Sequence, residues 1–300
     1  MVKTIFVKKL ISDDDIEDLL SFHVGSDYFE TVIKEDVDVI IEETGEYLLR
    51  FRKKVIDESL CKQAYDNLLK FARRRTTLRG MASGTQGKKT AKTNNPVRSN
   101  IIGYFDKNSP FNKLIYKRAG VPQPKCRETS FTGNQKAQWE LVIPYLKEID
   151  RNYKELFPIE HERQRIACQS TKFKIEDTAF STITINLNYQ TSIHTDKGDY
   201  KGGFGNLCVI EEGEYQGGFT GFPQYGVAVD VRSGDFLGMN VHIPHCNTPI
   251  IGEGNRMSFV SYLRQGIVDK CKNEEIFTTE MFNDLKELPY VKKKKGEFYK

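Results

Sequence analysis

From residue 178 to residue 264, apolar and polar positions alternate in short runs. Ile183, Ile185, Leu187 and Tyr189 fall on one side of an extended chain, and Thr182, Thr184, Asn186 and Asn188 on the other. A period of two marks a strand with one face in a core. Further strand-like runs occupy residues 206–211, 227–231, 236–240 and 256–262. Between them lie Gly202-Gly203-Phe204-Gly205, Gly217-Gly218-Phe219-Thr220-Gly221 and Ser233-Gly234-Asp235. Short strands with glycine turns predict an all-β sandwich or barrel over about residues 172–265. No helix pattern follows the glycine runs, so they are not nucleotide-binding fingerprints.

Upstream, helical spacing takes over. Leu60, Ala64, Leu68 and Phe71 predict a helix from residue 58 to about 75. Val142, Tyr145, Leu146, Ile149, Tyr153 and Leu156 form a stripe that predicts a second over 134–157, with Pro144 expected to kink or divide it. Trp139, beside that stripe, reads as core. A short helix is expected at 280–287, with Thr279 as N-cap and Pro289 as its stop. Residues 1–57 mix strand-like runs at 4–10, 37–41 and 47–51 with an acidic segment and carry no motif. They are expected to form an N-terminal subdomain or flanking strands. The class is thus α+β, a β-sandwich core braced by helices. Its expected divisions are 1–57, a main domain at 58–270, and a helix with a basic tail at 271–300.

Composition narrows the picture. A chain of 300 residues, 38% hydrophobic and 29% charged, describes a soluble globular protein, and no apolar run is long enough for a membrane span. The start lacks the apolar core of a signal peptide, so an intracellular location is expected, nuclear in a eukaryote. Cys61, Cys126, Cys168, Cys208, Cys246 and Cys271 lie far apart without zinc spacing and read as reduced thiols. Charge is uneven. Residues 73–105 hold Arg73, Arg74, Arg75, Arg79, Lys88, Lys89, Lys92 and Arg98 and no acidic residue, although the chain carries only +4 overall. Such a stretch suits contact with a nucleic-acid backbone, or is a solvated basic loop. Lys292 to Lys295 read as a solvated basic tail.

The candidate chemistry sits at Thr191-Ser192-Ile193-His194-Thr195-Asp196-Lys197-Gly198-Asp199. If the strand at 182–189 runs on, His194 and Asp196 share its polar face and can bind one metal ion. A third ligand is available from His242 or His245. Two histidines and a carboxylate on one side of a metal form the facial triad of non-haem Fe(II) oxygenases, which leaves positions open for a co-substrate and O₂. Arg256 and Ser258 share one face of the last strand, where they can meet the distal carboxylate of 2-oxoglutarate. These residues predict a 2-oxoglutarate-dependent dioxygenase.

Residues 183–199, His245-Cys246-Asn247-Thr248-Pro249-Ile250 and Arg256-Met257-Ser258-Phe259-Val260-Ser261-Tyr262 resemble the TET/JBP branch of the 2-oxoglutarate/Fe(II) dioxygenases. Fainter likeness extends upstream, in Leu78-Arg79-Gly80-Met81-Ala82-Ser83-Gly84 and Ser99-Asn100-Ile101-Ile102-Gly103-Tyr104-Phe105-Asp106. The resemblance implies a double-stranded β-helix (jelly-roll) and oxidation of the C5-methyl group of a pyrimidine, 5-methylcytosine or thymine, in nucleic acid, most simply DNA. It implies Fe(II) on His194, Asp196 and His245, with His242 left to packing, and 2-oxoglutarate on Arg256 and Ser258. Ascorbate is a candidate reductant. It also places Asp199 against the base. Arg264 stands where methylcytosine-oxidising members carry a histidine, a departure that leaves thymine open. Two rivals share the ligand pattern: a prolyl or lysyl hydroxylase acting on protein, and a metal-binding jelly-roll without activity. Asp199 and the basic stretch favour a polyanion over the first, and Arg256 with Ser258 argues against the second.

Overall fold

A computed structural model describes residues 2–77, 79–85 and 96–292. Lys88, Lys89 and Lys92 of the basic stretch, Leu78, and Lys293, Lys294 and Lys295 of the tail lie outside the described residues. The strands in chain order are β1 (Lys3–Val7), β2 (Thr31–Ile33), β3 (Val37–Ile41), β4 (Tyr47–Arg52), β5 (Ser99–Phe105), β6 (Arg127–Glu128), β7 (Thr182–Leu187), β8 (Gly205–Glu212), β9 (Tyr215–Gly217), β10 (Thr220–Phe222), β11 (Val227–Val229), β12 (Phe236–Met239), β13 (Cys246–Asn247), β14 (Ile250–Gly252) and β15 (Asn255–Tyr262). The helices are α1 (Asp13–Asp18), α2 (Glu58–Ala72), α3 (Pro110–Ala119), α4 (Ser130–Asn134), α5 (Lys136–Leu156), α6 (Pro158–Gln169), α7 (Gln265–Lys270) and α8 (Thr279–Glu287).

Alternation along the strands builds two layers of core. Ile183, Ile185, Leu187, Met257 and Phe259 project to one face of the major sheet, where Leu68, Phe71, Tyr145, Leu146 and Ile149 of α2 and α5 cover them. Leu207, Val209, Leu237 and Met239 project to the other face and meet Phe222, Val227 and Val229 of a smaller sheet. The major sheet runs β1-β3-β4-β12-β8-β15-β7-β5-β6, and the smaller one β13-β10-β11-β2. Two facing sheets with helices on one outer side are the jelly-roll layering expected of the pattern.

Residues 1–57, expected as a subdomain or flanking strands, add strands to both sheets: β3 and β4 carry the major sheet outward from β12, and β2 joins the smaller sheet through β11. Three local expectations change. Helix α5 continues through Pro144 and is not divided, its stripe anchored by buried Val142, Tyr145, Leu146 and Ile149 on both sides of the proline. Thr278, and not Thr279, caps α8, accepting from the Met281 amide at 3.2 Å. The expectation of six reduced thiols fails for Cys126 and Cys271, which form a disulfide across 145 residues, while Cys61, Cys168, Cys208 and Cys246 are free and buried. Burial brings the pair together, beside Phe173 and Ile267 in a small core of their own.

Strand β5 needs a glycine. Gly103 has φ +83°, and a Cβ there would lie 2.5 Å from the Ser181 carbonyl oxygen. Gly103→Ala is expected to cost on the order of 2 kcal/mol, read as a lower urea midpoint with an unchanged slope. An unchanged midpoint would show that β5 tolerates the side chain. Among the described residues, no helix is long and apolar enough to cross a membrane.

Candidate metal centre and base pocket

Strand β7 stops at Leu187 and does not run on to His194. Asn188 takes a left-handed turn, φ 47°, that ends the alternation. Its amide donates to the Arg256 carbonyl at 3.0 Å, and its side-chain oxygen accepts from the Arg256 amide at 2.7 Å. Beyond the turn the chain crosses to the smaller sheet. There His194 and His245 exchange reciprocal backbone hydrogen bonds of 2.9 Å, and the Asp196 amide donates to Val241 at 3.0 Å. Backbone pairing, not continuous strand parity, therefore brings the two segments into register.

The side chains converge. Asp196 Oδ1 lies 3.8 Å from His194 Nε2, and Oδ2 lies 3.6 Å from His245 Nε2. All three ligand atoms fall within 4.8 Å of one another. Both rings are oriented from behind: Nδ1 of His194 faces the Ser192 carbonyl at 2.7 Å, and Nδ1 of His245 faces that of Ile243 at 2.9 Å. With Nδ1–H donated to a carbonyl, each Nε2 lone pair is directed at the shared space. His242 is not in the cluster, and its buried Nε2 has no partner among the described residues.

Electrostatics agrees with a cation site. Burial, then the adjacent His245, pushes His194 down to about 4. Burial opposes ionisation of Asp196, but the neighbouring His245 and His194 outweigh it and hold the carboxyl at about 2. Burial likewise opposes a proton on His245, and Asp196 outweighs it to raise the imidazole. A carboxylate kept ionised between two imidazoles whose Nε2 atoms are preset fits a divalent cation.

The triad opens on a cavity of about 190 Å³. Thr184 and Asn186 from the polar face of β7, Tyr262 and Arg264 from the end of β15, and Asp199 line it. Asp199 is buried, with Oδ2 unpartnered among the described residues, and a backbone bridge sets it beside Arg264. Burial first, and then the charge of Asp196, push its carboxyl well above the usual range, with Arg264 working against them. Arg264 is itself fixed. Its Nε donates to Asp106 Oδ1 at 2.9 Å and its guanidinium lies 4.8 Å from the Phe105 ring centroid. Sequence reasoning missed Asp106 as an anchor, since only contact across 158 residues reveals its partner.

Arg256 and Ser258 are both buried, at 2% exposure each, but neither lines the cavity that holds the triad. Nε and Nη2 of Arg256 have no partner among the described residues. Gly218 keeps the space beside it clear, since a Cβ there would lie 2.8 Å from Arg256 Cδ. A buried guanidinium with open donors is costly unless an anion completes it.

The basic stretch divides. Arg74, Arg75 and Arg79 line a second cavity, Arg73 sits where it influences Glu212, and Arg98 lines neither cavity.

Two facing sheets with a His-x-Asp and a distant His converging between them define the 2-oxoglutarate/Fe(II) oxygenase class. Within that class, the chain belongs to the Tet_JBP family, the oxygenase domain of the 2OGFeDO superfamily, whose model matches residues 113–265. It is 34% identical over 186 residues to the bifunctional helicase and thymine dioxygenase JBP2 of Leishmania infantum, an overlap of 60% of this chain and 16% of that protein. For the JBP2 of Trypanosoma cruzi (strain CL Brener), identity is 30% over 289 residues, covering 89% of this chain and 24% of the relative. For the thymine dioxygenase JBP1 of Trypanosoma brucei brucei it is 33% over 182 residues, covering 59% and 20%. The chain thus spans less than a quarter of the length of these relatives. The fold is shared with NgTET1 in complex with 5mC DNA, at TM-score 0.55 and 14% identity over 92% of this chain and 98% of that one.

Proposed function

We propose that this chain oxidises the C5-methyl group of a pyrimidine in DNA, with thymine the favoured base. The observation that carries the proposal is the cavity itself, with His194, Asp196 and His245 on one wall and Asp199 with Arg264 on another. Fe(II) with 2-oxoglutarate and O₂ supplies an oxidant able to attack an unactivated C–H bond. The protein does the rest by position. His194, Asp196 and His245 hold the metal, and the open donors of Arg256, with Ser258 two residues along the same strand, receive the distal carboxylate of the co-substrate.

A base reaches such a cavity only after leaving the helix stack. Once there, its edge meets Asp199, whose buried Oδ2 has no partner among the described residues and can accept from a ring N–H. Arg264, held by Asp106, offers donors only. Carbonyl oxygens flanking an N–H, as in thymine, complement that set. Thymine is also the base named for the relatives JBP1 and JBP2. In a eukaryote, this substrate would place the protein in the nucleus.

The test is direct. The protein is incubated with Fe(II), 2-oxoglutarate, ascorbate as reductant, and double-stranded DNA with or without 5-methylcytosine, and the digested nucleosides are examined by mass spectrometry. An oxidised thymine methyl group is the expected product, with RNA inert and activity falling steeply with added salt. Peptide-dependent 2-oxoglutarate turnover with every nucleoside unchanged would sink the proposal in favour of a protein hydroxylase.

A further inference from the structure

The cavity that holds the triad has a larger neighbour. A second cavity of about 620 Å³ adjoins it, and Arg79, Ser99 and Phe105 line both. Its other cations are Arg74, Arg75, Lys107 and Arg127, and no carboxylate is among the described residues that line it. Not one of these five basic side chains is in an ion pair among the described residues. Elsewhere cations are commonly paired, as Arg264 is with Asp106 and Arg232 with Asp230.

Arg127 is held in place without being neutralised. Its Nε donates to the Lys107 carbonyl at 2.9 Å and its Nη1 to the Glu128 carbonyl at 3.0 Å. Two backbone oxygens thus fix the guanidinium while its charge stays open to a ligand. Ser109 and Pro110, which cap and begin α3, form another part of the wall, so the positive end of a ten-residue helix adds to the same field. Phe105 stands at the junction, with Arg264 over its ring at 4.8 Å and Arg127 at 6.0 Å.

We infer that this second cavity is a subsite for the phosphates that flank the target nucleotide, with Lys107 and Arg127 as its contacts. The inference rests on the proposed action on DNA and adds where the strand runs: from the base pocket, past Arg79, into the groove between α3 and the end of α2. Clustered cations without local counter-ions fit a polyanion of closely spaced charges, and the shared wall places them next to the extruded nucleotide. Because these contacts address phosphate and not base edges, they should act equally on every sequence.

Fluorescence anisotropy of a labelled oligonucleotide, repeated across a salt series, tests this. The variants are Lys107→Gln/Arg127→Gln and, as a control for net charge, Lys154→Gln on the exposed side of α5. The double variant is expected to bind every sequence more weakly and to lower the salt slope by about 2, while the control keeps the wild-type slope. If the double variant melts below the wild type, exposed Lys107→Gln alone should lower the slope by about 1. Removing flanking nucleotides from one end of the oligonucleotide should weaken the wild type and leave the double variant little changed. An unchanged slope overturns the inference, as does equal competition by an acidic peptide of the same charge. Oxidised product with an unaltered slope removes the subsite and keeps the proposed function. A lowered slope without any oxidised base does the reverse, and no binding by the wild type ends both.

Discussion

Asp196→Ala or His245→Ala is expected to reduce 2-oxoglutarate turnover at least about a hundredfold, whereas His242→Ala keeps most of it. Even residues that only orient a metal's ligands change affinity or activity by about 10- to 100-fold when lost, so removal of a ligand should exceed that range. The three ligand atoms lie within 4.8 Å of one another, and both Nδ1 atoms are committed to backbone carbonyls. No rotation of a neighbouring ring can therefore replace the missing donor without breaking one of those bonds. Calorimetric titration with Co(II), a redox-inert stand-in, separates a lost metal from a lost reaction. Tight Co(II) binding by His245→Ala together with its loss in His242→Ala would reverse the ligand assignment.

Arg256→Ala is expected to raise the KM for 2-oxoglutarate by about two to four orders of magnitude, from the roughly 3–5 kcal/mol lost when one partner of a buried charge pair is removed. Arg256→Lys should recover little, because an ammonium cannot make two parallel bonds to a carboxylate. Melting provides a second readout. The wild type should gain stability as 2-oxoglutarate is added with Co(II), and Arg256→Ala should show a smaller gain at each concentration. An unchanged KM would remove Arg256 from the co-substrate site.

Much of this was legible in the sequence because the informative patterns are local. The parity of β7 and β15, the stripes of α2 and α5 and the spacing of His194 and Asp196 are each contained in one short segment. What could not be read depends on partners distant in the chain. The turn at Asn188 is stabilised by Arg256, so strand parity alone overshoots and carries β7 too far. Asp106 anchors Arg264, and Cys126 meets Cys271, only after the sheets have closed. The placement of Arg256 outside the cavity lining also lies beyond sequence reach, since parity gives a face and not a depth.

The topology of the first strands constrains how this protein can be made. Thr31 pairs with Val227, and Arg52 with Phe236. While a ribosome is still building the middle of the chain, β2 and β4 have been synthesised but these partners do not yet exist. Strands β3 and β4 can pair with each other at once, but β2 and the second edge of β4 must wait for β11 and β12. Long-range pairing of this kind slows folding and prolongs exposure of sticky edges. Substitutions that slow folding should therefore reduce yield in cells through aggregation of nascent chains, even where the finished enzyme is as active as before.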